Sequence, residues 1–183
     1  MQRTIEVVDQ FYRDPMAVRE LALKNSEWIQ PSVGEDGIYD ARTTAYSADE
    51  EARERLLRIL GRAPVDDRET VIKGFFTFIG KGANDRLVPH VHNADWAAVV
   101  YLSLPNQCSG GMAFYRRTNA KMPDEKTDDR LTQPSQAWEE TTYIPMRFNR
   151  MILFKASILF HRATHGFGQT PESGRLAQIF LFQ

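Results

Sequence analysis

A single cysteine, Cys108, stands in the 183-residue chain, so no internal disulfide can form, which fits a reducing cytoplasm. Basic and acidic side chains nearly cancel, 23 against 24, and leave no basic field for nucleic acid. No run approaches the roughly 18 consecutive apolar residues of a membrane span. The opening Met-Gln-Arg-Thr lacks the apolar segment of a signal peptide. No internal repeat is visible. These shortages exclude a disulfide-framed module, a helical membrane protein, a nucleic-acid binder and a repeat array. The expectation is a soluble cytoplasmic protein whose length suits one domain over residues 1–183.

Histidine is scarce too, and its placing is informative. All four fall in two clusters: His90 and His92 in Pro89-His-Val-His-Asn-Ala-Asp95, and His161 and His165 in Phe160-His-Arg-Ala-Thr-His165. Imidazole is a common ligand for iron, copper, nickel and zinc, and is costly to bury without a partner.

The first third of the chain reads as helical. Ile5–Phe11 suggests an opening strand. Asp14 then caps a helix whose first position is Pro15, where a missing N–H costs nothing. Val18, Leu21, Ala22 and Lys24 share a face, and the pattern stops near Asn25. Residues 26–46 carry Pro31, Gly34, Asp36 and Gly37 and read as irregular. Ser47-Ala-Asp-Glu50 is a capping box opening a second helix, with Ala52, Leu56, Ile59 and Leu60 on one face and Gly61 closing it.

From about residue 70 the composition turns to branched and aromatic residues. Val71–Ile79, Trp96–Leu104, Met112–Tyr115, Arg150–Phe154 and Arg175–Phe182 are separated by turn formers, as strands are. A helical part (1–69) followed by strands (70–183) predicts a mainly β, α+β fold: an antiparallel core with both helices on one side. Residues 117–142 interrupt it with dense charge, two prolines and one aromatic, Trp138. They read as an inserted loop: a solvated excursion or a lid over substrate, with Arg116, Arg117 and Lys121 available to an acidic group.

Along an extended 88–92 segment, His90 and His92 point to the same face and form a two-ligand half-site. The alternative is a polar edge facing water. Asp95 reaches the same centre only if Asn93-Ala94 turns. At the second cluster the apolar run Ile152–Phe160 ends at His161, which is better placed as a third ligand than His165. His165 shares its face only in a helical turn, which Gly166 and Gly168 disfavour. Arg175 opens the last, mainly apolar strand, and a guanidinium entering such a core needs an anionic partner. That partner is a structural Asp or Glu, or the carboxylate of a small organic acid.

With these motifs in order, the sequence resembles the iron(II)/2-oxoglutarate dioxygenase superfamily. Trp96–Pro105 followed by Cys108-Ser-Gly-Gly-Met-Ala-Phe-Tyr115 is similar to its apolar strand, Tyr-Leu, Gly-Gly turn and next strand. Asn149–Phe154 leading to Phe160-His-Arg-Ala-Thr resembles its distal-histidine passage, and Gly174-Arg-Leu-Ala-Gln178 its closing strand. Asp14–Ala22 resembles a bacterial branch, here with an atypical His-x-His first motif. The likeness covers 70–183 well and the N-terminal part weakly. It implies a double-stranded β-helix, the jelly-roll core that cupins share. It also implies Fe(II), 2-oxoglutarate as co-substrate and O2, with oxidation (hydroxylation by default; desaturation, cyclisation or halogenation otherwise) of a small-molecule or peptide-like substrate. By resemblance His90 is the first ligand, His161 the distal one, Arg175 the clamp on 2-oxoglutarate, and Tyr101 a lining residue of that pocket.

One position departs. Where the family has a carboxylate, this chain has His92. Three imidazoles hold the metal, or Asp95 swings in, or the site lacks iron chemistry. Two rival classes stay open: a cupin-type dioxygenase or isomerase without 2-oxoglutarate, in which Arg175 binds the substrate itself, and a non-catalytic jelly-roll binding module.

Overall fold

The protein is described here from a computed structural model, covering residues 4–24, 28–29, 40–43, 50–61, 72–81, 89–118 and 137–183. The chain runs β1 (Ile5–Val8), α1 (Pro15–Lys24), β2 (Trp28–Ile29), β3 (Asp40–Thr43), α2 (Glu50–Ile59), β4 (Lys73–Ile79), β5 (Trp96–Tyr101), β6 (Gly111–Arg117), β7 (Trp138–Pro145), β8 (Met151–Lys155), β9 (Phe160–Ala163) and β10 (Arg175–Phe182). A seven-stranded sheet in the order β1-β8-β5-β10-β4-β3-β2 faces a three-stranded sheet in the order β7-β6-β9. Their paired strands are all antiparallel. No described helix is long and apolar enough to cross a membrane.

The helices begin and end for local reasons. Asp14 Oδ1 accepts the Ala17 N–H at 3.0 Å, so the predicted cap of α1 is made, with Pro15 at the first helical position. Gly61 follows α2 at φ +75°, where a side chain would be strained, and its N–H returns to the Arg58 carbonyl. The predicted Ser47 box lies outside the described residues. On α1 the buried positions are Arg19 and Ala22, whereas Leu21, expected inside, is 55% exposed. The buried arginine displaces it. Arg19 donates to the Leu102 carbonyl at 2.9 Å and the Glu172 carbonyl at 2.7 Å, which turns that face of α1 toward the sheet.

Alternation along the strands makes two cores. Ala98, Val100, Leu153, Leu176 and Phe180 pack with Phe11, Ala22 and Leu56 on the helix side of the large sheet. Ala97, Val99, Tyr101, Ile152, Phe154 and Ala177 pack against Met112, Phe114 and Ile144 of the small sheet. Both faces of β5 are covered, which is why Trp96-Ala-Ala-Val-Val-Tyr101 is a continuous apolar run, buried throughout.

Three expectations need correction. Residues 26–46 are not wholly irregular, since β2 and β3 lie within them and β3 extends the large sheet beside β4. The loop foreseen over 117–142 is shorter at its end, because Trp138 begins β7, which pairs with β6 from Gly111–Pro145 to Arg117–Trp138. The polar, exposed positions of β7 hid it: residues 139–143 are exposed on both faces, so their composition mimics a loop. The run 152–160 is two strands in different sheets. The chain turns after Lys155, whose carbonyl accepts the Leu159 N–H at 3.1 Å, and leaves Ile158 outside.

Asn149 locks the entry to α1 onto this frame. It is buried with φ +60°; its Oδ1 accepts the Tyr12 N–H at 2.8 Å and its Nδ2 donates to the Tyr12 carbonyl at 2.9 Å. Asn149→Ala removes both bonds and puts alanine, which tolerates left-handed backbone less well than asparagine, at φ +60°. A loss of about 3 kcal/mol is expected, read as a denaturant midpoint shift without a change in slope. Asn149→Gly, free of the backbone term, loses less.

Candidate metal centre

Backbone pairing sets the centre. The His90 N–H donates to the His161 carbonyl at 3.1 Å and the His161 N–H to the His90 carbonyl at 3.0 Å, a single antiparallel bridge at the edge of β9. Residues opposed in this way present side chains to one face. The His92 N–H donates to the Ala156 carbonyl at 2.9 Å and the Ala156 N–H to the Asp95 carbonyl at 2.9 Å, so the segment is held at both ends. Two residues beyond His90, His92 returns to the same face.

The result is a compact triad. One nitrogen from each of His90, His92 and His161 lies within 4.8 Å of the others. The ring centroids are 4.6 Å apart for His90–His161 and 5.0 Å for the other two pairs. Among the described residues no other group of three His, Cys, Asp or Glu side chains converges in this way. Burial is graded: His161 is buried, His92 half-buried and His90 exposed, so the open side is at His90. The ring of Phe154 backs His161 at 4.4 Å.

The donor set suits a divalent transition metal. His161 Nδ1 lies 2.9 Å from the Leu159 carbonyl; donating there places the proton on Nδ1 and turns the Nε2 lone pair toward the cluster. Burial, and secondarily the charge of His90, lowers the pKa of His92 to about 4. Burial and then the neighbouring histidines lower that of His161 to about 3. Both rings are therefore neutral at pH 7, the form that ligates.

These shifts also predict acid sensitivity. In the metal-free protein the unfolded chain takes up protons below its ordinary histidine pKa near 6.5, while the folded sites resist down to about 4 and 3. Stability is full above that pKa and falls as the pH drops through this window. A loss of about 3 kcal/mol is expected, less than the shifts sum to, because His92 keeps some solvent screening. Denaturation of metal-free protein at pH 7 and pH 4.5 measures it, with a His92→Asn, His161→Asn double variant as the reference.

The triad opens on a cavity of about 190 Å3 between the sheets. Arg175 lines it as well, and most of the remaining wall is short and apolar, including Ala97, Val99, Ala163, Ala177 and Ile179, with Thr77 the one hydroxyl. Arg175 is 2% exposed. Its Nη2 donates to the Gly111 carbonyl at 2.9 Å and to the Tyr101 hydroxyl at 3.3 Å, while Nη1 lies 3.5 Å from the His165 carbonyl. The guanidinium also sits 5.2 Å from the Tyr101 ring centroid. Among the described residues its partners are a phenol and two carbonyls, and none is a carboxylate. Glycine is required at 111 for the close pairing of β6 with β7, since a β-carbon there would lie 2.1 Å from the Ile144 carbonyl oxygen.

Other predicted residues stand apart. Asp95 is exposed and outside the cluster. His165 hydrogen-bonds Ser109 Oγ through Nε2 at 3.0 Å, the loop role foreseen as its alternative. Arg116 pairs with Glu139, and Arg117 lies 5.3 Å from the ring centroids of Trp138 and Phe160, so neither offers a free guanidinium to substrate. Lys121 lies outside the described residues. Sequence reasoning did not reach the Gly111 carbonyl or the Phe154 ring; alternation along β8, which sets Ile152 and Phe154 on the cavity side, was the available signal for the latter.

Fold and site together define a jelly-roll protein with a three-histidine cluster and a buried arginine in one cavity. No family model matches the chain, and no curated protein does. Solved structures do. The chain is similar to the epimerase SnoN in complex with Fe3+, alpha-ketoglutarate (2-oxoglutarate) and nogalamycin RO, at 16% identity and TM-score 0.57, covering 98% of this chain and 78% of that one. HygX from Streptomyces hygroscopicus, with nickel, 2-oxoglutarate and hygromycin B bound, gives 15% identity and TM-score 0.57, covering 98% and 82%. A prolyl hydroxylase from Trichoplax adhaerens, in complex with a hypoxia inducible factor peptide, gives 13% and 0.50, covering 98% and 83%. The shared property is the fold, the jelly roll of 2-oxoglutarate-dependent enzymes.

Proposed function

We propose that this protein is a non-heme iron, 2-oxoglutarate-dependent oxygenase that oxidises, by default hydroxylates, a C–H bond of a small-molecule or amino-acid- or peptide-like substrate. The carrying observation is the pairing, in one cavity, of three convergent imidazoles with a buried guanidinium that has no carboxylate partner among the described residues. Bound Fe(II), 2-oxoglutarate and O2 supply the oxidising equivalents, with 2-oxoglutarate leaving as succinate and carbon dioxide. His90, His92 and His161 hold the metal from rigid backbone pairs. Arg175 binds the far carboxylate of 2-oxoglutarate, and the Tyr101 hydroxyl, buried behind it and outside the cavity lining, accepts from Arg175 and holds the guanidinium in place. The apolar wall excludes water from the reacting end. A cytoplasmic setting agrees with the lone thiol of Cys108.

One observation favours a second reading. The cluster lacks a carboxylate, as do the three-histidine sites of cupin-type dioxygenases that use no 2-oxoglutarate. Succinate release on adding Fe(II), ascorbate and 2-oxoglutarate in air separates the two. Release above the level of the Arg175→Ala variant supports the proposal. Metal uptake without succinate moves the protein to the cupin class. If no divalent metal is taken up, a jelly-roll binding module is the reading left.

A further inference from the structure

We infer that the primary substrate of this centre is an anion, a small organic acid whose charged group comes to rest beside the metal. The inference rests on the iron and 2-oxoglutarate reading and narrows its substrate.

Charge carries it. A divalent metal brings two positive charges, the three imidazoles add none, and the cationic guanidinium of Arg175 adds a third. Bound 2-oxoglutarate, a dianion, removes two. One positive charge is left in a cavity whose described lining contains no Asp or Glu. A carboxylate in the place of His92 would have brought the sum to zero; an imidazole leaves it open.

Uncompensated charge in an apolar enclosure is expensive, and an opposite charge within a few ångströms interacts there far more strongly than in water. Asp95, the nearest acidic residue in sequence, faces outward and is not in the cluster. Within the described structure the balancing charge must therefore arrive with a ligand. The graded burial of the histidines gives it a direction: an acid enters past exposed His90, its charged end inward.

The test uses the Zn(II)-loaded protein with saturating 2-oxoglutarate in chloride-free buffer. Acetate, isobutyrate and benzoate are titrated by calorimetry against acetamide, isobutyramide and benzamide. At least one acid is expected to bind about tenfold or more tightly than its amide. In His92→Asp, which restores the missing negative charge, that preference shrinks to about twofold. If acids bind no better than amides, if neither binds, or if His92→Asp keeps the full preference, the inference is overturned. Should His92→Asp fail to fold, the native comparison of acid with amide decides alone. Absence of metal-dependent 2-oxoglutarate binding overturns the underlying reading, and this inference with it. Intact 2-oxoglutarate binding without acid preference overturns this inference only.

Discussion

Arg175→Ala is expected to weaken 2-oxoglutarate binding by about two to three orders of magnitude, while Zn(II) affinity stays within about twofold. Losing one member of a buried, hydrogen-bonded charge pair costs about 2–5 kcal/mol, and each 1.4 kcal/mol is roughly tenfold in affinity. The geometry puts this residue in the middle of that range. Arg175 is almost wholly enclosed, and its position is fixed by the Gly111 carbonyl and the Tyr101 ring, so little ordering remains to be done when a carboxylate arrives. Arg175→Lys keeps the charge but loses the planar fork, and falls between the two. Tyr101→Phe removes the hydroxyl that holds the Arg175 guanidinium and loses about tenfold or less. Calorimetric titration of each Zn(II)-loaded variant reads these out. If Arg175→Ala lowers the melting temperature yet binds 2-oxoglutarate as the native protein does, the guanidinium is only a strut between β10 and the β6 turn.

The fold was legible where one physical cause dominated. Continuous apolar runs mark strands buried on both faces, and β5 and β10 came out of the sequence as strands, though Tyr101, expected to line the pocket, lies outside the cavity lining. It was illegible where a strand is solvated on both faces: Glu139, Glu140, Thr141 and Thr142 of β7 read as loop because their partners on β6, not their own hydrophobicity, make them a strand. Composition also missed the strand break before the distal histidine, although His161 itself joins the cluster as expected. A run of apolar residues up to Phe160 looks like one element, yet the turn after Lys155 carries β9 to the other sheet. That crossing is what brings His161 opposite His90. The histidine set itself was readable because a His-x-His spacing needs only an extended backbone to share a face. The choice between His92 and Asp95 was not. It depends on the Asp95 carbonyl pairing with the Ala156 N–H, a contact between segments far apart in the chain.

His161→Ala is expected to remove tight metal binding altogether, and His165→Ala to leave it unchanged. At about a hundredfold excess over the dissociation constant, a metal that binds only the folded state adds about 2.7 kcal/mol. For a chain of this size that is a rise in melting temperature of roughly 5–10 °C. His161 is the ligand whose loss should erase the rise. Its ring is 4% exposed, packed on Phe154 and oriented by the Leu159 carbonyl, so no water-borne group takes its place without opening the small sheet. His90 is exposed and water can stand in for it, so His90→Ala should keep a reduced shift. His165 is engaged with Ser109 and lies outside the triad, which makes it the control. Differential scanning fluorimetry with and without Zn(II) or Mn(II), at constant pH, ranks the four proteins. A native-sized shift in His161→Ala, or a lost shift in His165→Ala, would mean that the metal is held elsewhere.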